Sequence, residues 1–242
     1  MNQHANLSPV VIEALLRRER MALVGRLLGG VVHNISGPLQ MITLPLDRME
    51  MDLARGETPQ LTKYWPHLKQ GISKLLAEVE LLGSKVLNLH DLEPRKIDLA
   101  EMAQEQLAFW RADMFFKHQV ELVSDLPFGR VTLQAAYADV ALAFNAVMAN
   151  ALESLEAAKQ TGLKIKVHQQ PGQAGLLVED SGPGPEPSLA QRMFEPFVGN
   201  KGENHDGLGL FLAREALARW RGELHWRPGA PGGFFIAFPA TA

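Results

Sequence analysis

The 242-residue chain contains no cysteine, little excess charge of either sign and no long uncharged apolar run. Without cysteine it can form neither a disulfide nor a thiolate metal site. A formal net charge of −3 gives no electrostatic basis for binding nucleic acid or an anionic membrane. No stretch reaches the ~18 apolar residues that cross a bilayer, and the first residues lack the order of a signal peptide. The composition predicts a soluble, cytoplasmic protein with no membrane span and no nucleic-acid partner.

Apolar residues make up 46% of the chain, and in its first half they recur at helical spacing. Steps of three and four residues connect the members of two such seams, Val24, Leu28, Val31, Ile35, Leu39, Ile42, Leu46, Met49 and Leu53, then Leu68, Ile72, Leu75, Val79, Leu82, Val86 and Leu89. Gly56 and Pro59 lie between the seams and indicate a turn. We predict an antiparallel helical hairpin over residues 1–92 that pairs in a homodimeric four-helix bundle. A monomeric hairpin packed against the second half is the alternative.

The apolar period changes after residues 91–99, a charged segment that contains Pro94. The patterns beyond it predict strands at 118–126, 163–170, 174–182, 222–228 and 232–239, and helices at 99–115, 136–158 and 207–221. Neighbouring strands joined by short turns predict an α+β sandwich over residues 95–242, with helices on one face of a single sheet.

Four segments of the second half carry residues suited to a bound nucleotide: NALES from Asn150, DSGPG from Asp180, FEPF from Phe194 and GLGL from Gly207. A carboxylate at the end of a buried strand can accept a hydrogen bond from an exocyclic amine. Glycine pairs permit close approach of the backbone to a ligand. A helix that begins after the last segment would direct free N–H groups at phosphate. The oxygen of an asparagine side chain suits a hard cation such as Mg²⁺.

Together these segments resemble the ATP-binding domain of sensor histidine kinases, within the wider family that includes gyrase and Hsp90. The resemblance implies that Asp180 binds the adenine amine and that Asn150 holds Mg²⁺. The residues it implies for nucleotide binding are Asn150, Glu153, Asp180, Gly182, Gly184, Arg192, Lys201, Gly207, Leu208, Gly209 and Leu210. Arg192 and Lys201 would act near the γ-phosphate from a mobile lid at 185–206, although both could be solvated surface charges. Ala146 stands where the gyrase-like branch carries a water-activating glutamate, which argues against an ATP hydrolase.

The first-half segment VVHNISGPL, residues 31–39, resembles the phosphoacceptor box of the same kinases, with matches at His33, Pro38 and Leu39. His33 lies two residues from Val31 and Ile35, about 200° round the helix from each, and so faces away from the seam. The resemblance implies that His33 accepts the phosphoryl group. Asn34 replaces the family's acid, and an amide can orient an imidazole but cannot accept its proton.

These features predict a soluble two-component histidine kinase that phosphorylates His33 from ATP and then a response-regulator aspartate. Asn34 predicts slow or conditional autophosphorylation, and Gly37, where the family often has Thr or Asn, predicts little phosphatase activity. An upstream sensor protein is a possible source of the stimulus. The main alternative is a phosphotransfer or scaffolding pseudokinase that binds a receiver domain while ATP plays a regulatory role. A serine kinase of the anti-sigma type is less favoured, because it does not account for the paired seams.

Overall fold

The computed structural model describes residues 7–58, 61–129, 131–199 and 206–239, and the chain opens with two long helices. Helix α1 spans Pro9–Ala54 and helix α2 spans Leu61–Leu89. The Ser8 hydroxyl accepts a hydrogen bond from the Val11 N–H, and Pro9 occupies the first helical turn, where its missing donor is harmless. The Tyr64 hydroxyl donates to the Asp52 carboxylate near the turn. The two helices form the antiparallel hairpin that the sequence predicts.

The two predicted apolar seams lie on α1 and α2, but in each seam some side chains are buried and others are exposed. In α2, Leu75 and Leu82 are half-buried, whereas Val79 and Val86 are 54% and 45% exposed. Close approach of the helices depends on Gly71, where a Cβ would lie 2.8 Å from Ile42 Cγ1. Part of each seam is therefore buried, within the hairpin or against the second half, and the rest remains on the surface of the single chain.

The second half contains the remaining elements. They are β1 (Pro94–Asp98), α3 (Leu99–Trp110), α4 (Met114–His118), β2 (Glu121–Asp125), β3 (Thr132–Ala136), α5 (Tyr137–Ala158), β4 (Gly162–Gln170), β5 (Gln173–Asp180), α6 (Pro187–Ala190), α7 (Gly209–Ala218), β6 (Glu223–Arg227) and β7 (Gly232–Pro239). Five strands form a sheet in the order β2-β4-β5-β7-β6, with only β2 and β4 parallel. Helices α3, α5 and α7 enclose the main core with this sheet, and fully buried residues include Trp110, Phe144, Ile165, Leu176 and Ile236. The predicted α+β architecture is confirmed.

Three details of the second half differ from the sequence prediction. The helix predicted at 99–115 is divided into α3 and α4, because Asp113 Oδ1 accepts from the Phe116 N–H at 2.8 Å and starts a new helix. Consequently α4 occupies residue 118, and the strand predicted from there begins at Glu121. Strands β1 and β3 form a separate antiparallel pair that the sequence reading missed, since each is only five residues long.

The first half of α1 packs directly against the second half of the chain. Leu16, Leu27 and Val31 are at most 5% exposed and belong to the main core. A Cβ at Gly30 would overlap the carbonyl oxygen of Ala112, so the two backbones are in contact there. The part of α1 before Pro38 therefore packs against the second half of the chain. The monomeric alternative predicts packing of this kind. No helix among the described residues is both long and apolar enough to cross a membrane.

Candidate functional site

The end of β5 presents a buried carboxylate beside a glycine. A side chain at this glycine would displace the neighbouring atoms. Asp180 is 6% exposed, and its Oδ1 accepts from the Gly182 N–H at 3.0 Å. A Cβ at Gly182 would overlap Ser154 Oγ and lie 2.6 Å from Asp180 Oδ1. Gly184 has a positive φ of 69°, a conformation that glycine adopts without strain. The predicted residues Asp180, Gly182 and Gly184 therefore follow one another at the end of β5, with Gly182 against Ser154 of α5 and Gly184 beside Trp226 of β6.

Helix α5 contributes Asn150 and Glu153, which are half-buried and three residues apart on one face. Glu153 Oε1 accepts from Arg26 Nη1 of α1 at 2.9 Å. Asn145, one position before Ala146, is turned toward α3, where its Oδ1 accepts from Trp110 Nε1 at 2.9 Å. Asn145 is therefore engaged in structural contacts with α3.

The segment that leads into α7 is a close-packed glycine turn that ends at the start of the helix. Gly207 has a φ of 63°, and a Cβ there would lie 2.8 Å from the Val198 backbone nitrogen. Leu208 is buried and precedes the first turn of α7, which begins at Gly209 and continues through the half-buried Leu210. Free N–H groups at such a helix start favour an anion.

A carboxylate of α1 already lies at the start of α7. Glu19 Oε1 is 3.9 Å from the position that a Cβ would occupy at Gly209. Burial raises the pKa of Glu19, and the Asp206 carboxylate raises it further, whereas the Arg18 guanidinium opposes both. Arg18 Nη2 in turn donates to Asp206 Oδ2 at 2.8 Å. Helix α1 thus contacts the predicted phosphate-binding segment directly.

The predicted lid is described only in part, because Lys201 lies outside the described residues. Arg192 is on the surface, and its Nε donates to Glu195 Oε2 at 3.0 Å. Phe194 packs edge-on against Phe234 with ring centroids 6.3 Å apart. Phe197 is 59% exposed and does not share this packing.

His33 is exposed on α1, in agreement with the face predicted from its spacing. Its neighbour Asn34 is half-buried, and the Asn34 Oδ1 accepts from Lys117 Nζ at 2.8 Å. Lys117 belongs to α4, so the second half of the chain reaches the residue next to the predicted phosphoacceptor. Sequence reasoning missed this contact, since the two residues are 83 positions apart.

A buried ion pair that the sequence reading also missed joins α1 to the start of α5. Arg20 Nη2 donates to Asp139 Oδ1 at 2.6 Å, and the two side chains are 5% and 1% exposed. Trp220 Nε1 donates to the other oxygen of Asp139 at 2.9 Å. Arg219 pairs with Glu13 of α1 and lies 3.9 Å from Asp139. An arginine in a charge-rich helix usually indicates a solvated face, so no signal distinguished Arg20.

The donor set fits a nucleotide with a divalent cation. A buried carboxylate can bind a purine amine, the α7 start and its glycines can accept phosphates, and the oxygens of Asn150 and Glu153 suit Mg²⁺. The glycine position at 182, which a side chain would fill, is the observation that most favours this fit.

Comparison with known proteins points to an ATP-binding domain in the second half. Residues 137–240 match the model of the family described as histidine kinase-, DNA gyrase B-, and HSP90-like ATPase. The C4-dicarboxylate transport sensor protein DctS of Rhodobacter capsulatus is 27% identical over 98% of this chain. The signal transduction histidine-protein kinase AtoS of Escherichia coli is 23% identical over 93% of it. Each alignment covers 36% of the relative, so the chain spans about a third of their length.

Solved structures share the fold of the second half. The catalytic domain of histidine kinase ThkA superposes with a TM-score of 0.53 at 20% identity, over 62% of this chain and 100% of that one. The mycobacterial sensor histidine kinase MprB gives a TM-score of 0.51 at 21% identity, over 60% and 97%. Residues 137–240 therefore carry a domain of the histidine kinase-, DNA gyrase B- and HSP90-like ATPase family, and with its helical hairpin the chain resembles a histidine kinase transmitter module.

Proposed function

We propose that the chain is a two-component histidine kinase that binds Mg²⁺ and ATP and phosphorylates its own His33. The observation that carries the proposal is the pairing, in one chain, of the Asp180–Gly182 cradle with a histidine exposed on the attached hairpin. The relatives named as sensors and as a signal transduction histidine-protein kinase support the same activity.

Each predicted site residue has a role in this reaction. Asp180 accepts from the adenine amine, while Asn150 and Glu153 hold Mg²⁺, which neutralises charge on the transferred phosphoryl group. The turn at Gly207, Leu208, Gly209 and Leu210 lines the phosphates with backbone N–H groups. Arg192 and Lys201 act from the lid as further cations once it closes.

In the transfer step, the unprotonated ring nitrogen of His33 attacks the γ-phosphorus. A nitrogen–phosphorus bond forms as the bond to the β,γ-bridging oxygen breaks, and ADP leaves. The imidazolium that results must lose the proton of its other nitrogen. Asn34, held by Lys117, can orient the ring but cannot accept this proton, so water does. We therefore expect slow autophosphorylation and, because residue 37 is glycine, little phosphatase activity.

We further propose that the chain works as a homodimer and passes the phosphoryl group to an aspartate of a response-regulator receiver domain. The exposed halves of the two seams support the dimer, since they leave apolar side chains uncovered along the hairpin. An upstream sensor protein would supply the stimulus.

A phosphotransfer or scaffolding pseudokinase is the second candidate, and the amide at Asn34 is the observation that favours it. In that case His33 would relay a phosphoryl group or the hairpin would dock a receiver domain, and ATP would regulate the contact.

Incubation with γ-labelled ATP and Mg²⁺ tests the proposal. We expect acid-labile, base-stable label that is lost in His33→Ala and in Asp180→Asn but retained in His67→Ala, an exposed histidine of α2. Label that survives in His33→Ala would place the phosphoacceptor elsewhere. Tight ATP binding without any label would favour the pseudokinase.

A further inference from the structure

We propose that residues 13–27 of α1 form an autoinhibitory clamp that occupies the nucleotide site and competes with ATP for it. The inference rests on the proposed function and concerns the regulation of that same site. It follows from where the charged side chains of this segment lie, which none of the sequence motifs predicts.

Three side chains of the segment contact residues predicted to bind, or adjacent to residues predicted to bind, the nucleotide. Arg26 pairs with Glu153, the carboxylate expected to face Mg²⁺, at 2.9 Å. Arg18 pairs at 2.8 Å with Asp206, which immediately precedes the glycine turn. Glu19 lies at the first residue of α7, Gly209. One stretch of α1 therefore covers both the metal side and the phosphate side of the site.

A buried anchor holds this stretch in place. The Arg20–Asp139 pair is almost completely excluded from solvent, and breaking it would leave a buried charge unpaired. Leu16 and Leu27, which lie on either side of the pair along α1, are 0% and 2% exposed. The exposed pairs of Arg18 and Arg26 add to an interface that hydrophobic burial already fixes.

The bound segment and a nucleotide exclude one another by charge. The α7 start favours one anionic group, and Glu19 supplies a carboxylate there, where it would repel the phosphates. Glu19 is half-buried, and this burial, together with the neighbouring Asp206, raises its pKa. The Glu153 carboxylate is paired with a guanidinium, which opposes binding of a second cation beside it.

The clamp also keeps the site away from the phosphoacceptor. Glu19, Arg26 and His33 follow one another at intervals of seven residues and so lie on one face of α1. Two such intervals correspond to about 21 Å along the helix. While Glu19 lies at the α7 start, His33 is therefore separated from the phosphate-binding turn.

Titration with Mg²⁺ and the β,γ-imido analogue of ATP tests the clamp in the full chain. We expect Arg18→Ala/Arg26→Ala to bind the analogue at least about 5-fold more tightly than wild type, the lower end of ordinary coupling between sites. The matched control is Arg48→Ala, which removes another arginine of α1 from an ion pair with Asp52 inside the hairpin. It should leave the affinity unchanged.

The direction of the change in affinity distinguishes a clamp from a phosphate-binding role. If the arginines helped to bind phosphate, removing them would lower the affinity for the analogue. Weaker or unchanged binding in the double variant overturns the clamp and leaves the proposed function intact. Absence of binding in wild type and in every variant overturns the proposed function and the clamp together.

A second measurement uses the lack of cysteine in the chain. Leu16→Cys places a single thiol in the interface, and Ile165→Cys places one inside the sheet as a control, both at fully buried positions. We expect the Mg²⁺-bound analogue to accelerate maleimide labelling at residue 16 several-fold and not at residue 165. Unchanged or slower labelling at residue 16 would contradict competition.

Discussion

At the scale of single residues, a buried lysine lies where the hairpin meets the second half. Lys85 of α2 is 4% exposed, donates a hydrogen bond to Gln106 and lies 5.0 Å from the Phe109 ring. Burial lowers the pKa of Lys85 from 10.5 to about 7, against the opposing effect of the Glu105 carboxylate. The unfolded chain therefore binds more protons than the native one between these two values.

We expect the free energy of unfolding to rise with pH above about 7, because a depressed lysine pKa penalises the charged native form. The gain should reach about 3 kcal/mol by pH 9.5 in urea titrations. Tyr137, whose pKa burial raises, adds an opposite effect only at higher pH. Lys85→Met should remove most of the slope, whereas the exposed Lys69→Met should keep it. Parallel curves for Lys85→Met and wild type would show that Lys85 does not titrate in this range.

Asn34 is the second residue whose chemistry can be tested by itself. Asn34→Glu should raise the autophosphorylation rate by roughly 100-fold, the lower end of general-base effects, since a carboxylate can accept the imidazole proton. Lys117, which now donates to the Asn34 amide oxygen, would hold the new acid in place. Label from ATP should enter Asn34→Gln, of the same length but uncharged, as slowly as wild type. Equal rates for Asn34→Glu and wild type would mean that residue 34 does not limit transfer.

At the scale of elements, the glycines of α1 differ in what surrounds them, although the sequence makes them look alike. Each glycine weakens a helix, but only at Gly30 does the backbone touch another segment, at the Ala112 carbonyl. Gly29 and Gly37 have nothing within 4 Å of a Cβ position. Close packing therefore explains Gly30 alone.

Alanine substitution should separate these positions. Gly29→Ala and Gly37→Ala are expected to stabilise the chain by up to about 1 kcal/mol through helix propensity. Gly30→Ala should lower the free energy of unfolding, because its methyl group forces α1 away from the α3–α4 turn. Denaturant titration of the three variants checks the difference in sign, and a stabilised Gly30→Ala would show that this contact is easily displaced.

Elements with a long periodic pattern could be predicted from the sequence. Elements with only a short pattern could not. The seams of α1 and α2 and the apolar runs of β5 and β7 extend far enough to define their period. Strands β1 and β3 carry five residues each and depend on pairing with one another. Asp113 could be read as a helix start only once the turn after Trp110 was known.

At the scale of the whole molecule, the motifs predict a nucleotide site but do not predict which other side chains cover it. Asp180 and Gly182 are two residues apart, so the sequence displays their spacing directly. Arg26 and Glu153 are 127 residues apart, and their contact depends on how α1 settles on α5. A charged helix face predicts exposure to solvent. Here the packing of α1 on α5 instead brings part of that face into contact with the second half.

The uncovered halves of the seams predict association of two hairpins. Leu46 is 45% exposed and Val79 is 54% exposed, so a glutamate at either position is tolerated by the single chain. In a four-helix bundle the same charge would be buried. Leu46→Glu/Val79→Glu should sediment as a monomer with its fold intact. Gln40→Glu, at an exposed polar position of α1, should sediment as wild type does. A monomeric wild-type chain would contradict the dimer.

Helix α1 continues without interruption from Pro9 to Ala54, through both of its internal prolines. A helix of this length extends over about 69 Å. Arg18, Arg26 and His33 all precede Pro38, so a rotation of this part of α1 moves the three side chains together. Rotation by a single residue position, about 100°, would withdraw Arg18 and Arg26 from their carboxylates and change the direction in which His33 points. A single rotation of α1 could thus remove the clamp from the nucleotide site and at the same time reorient the phosphoacceptor histidine.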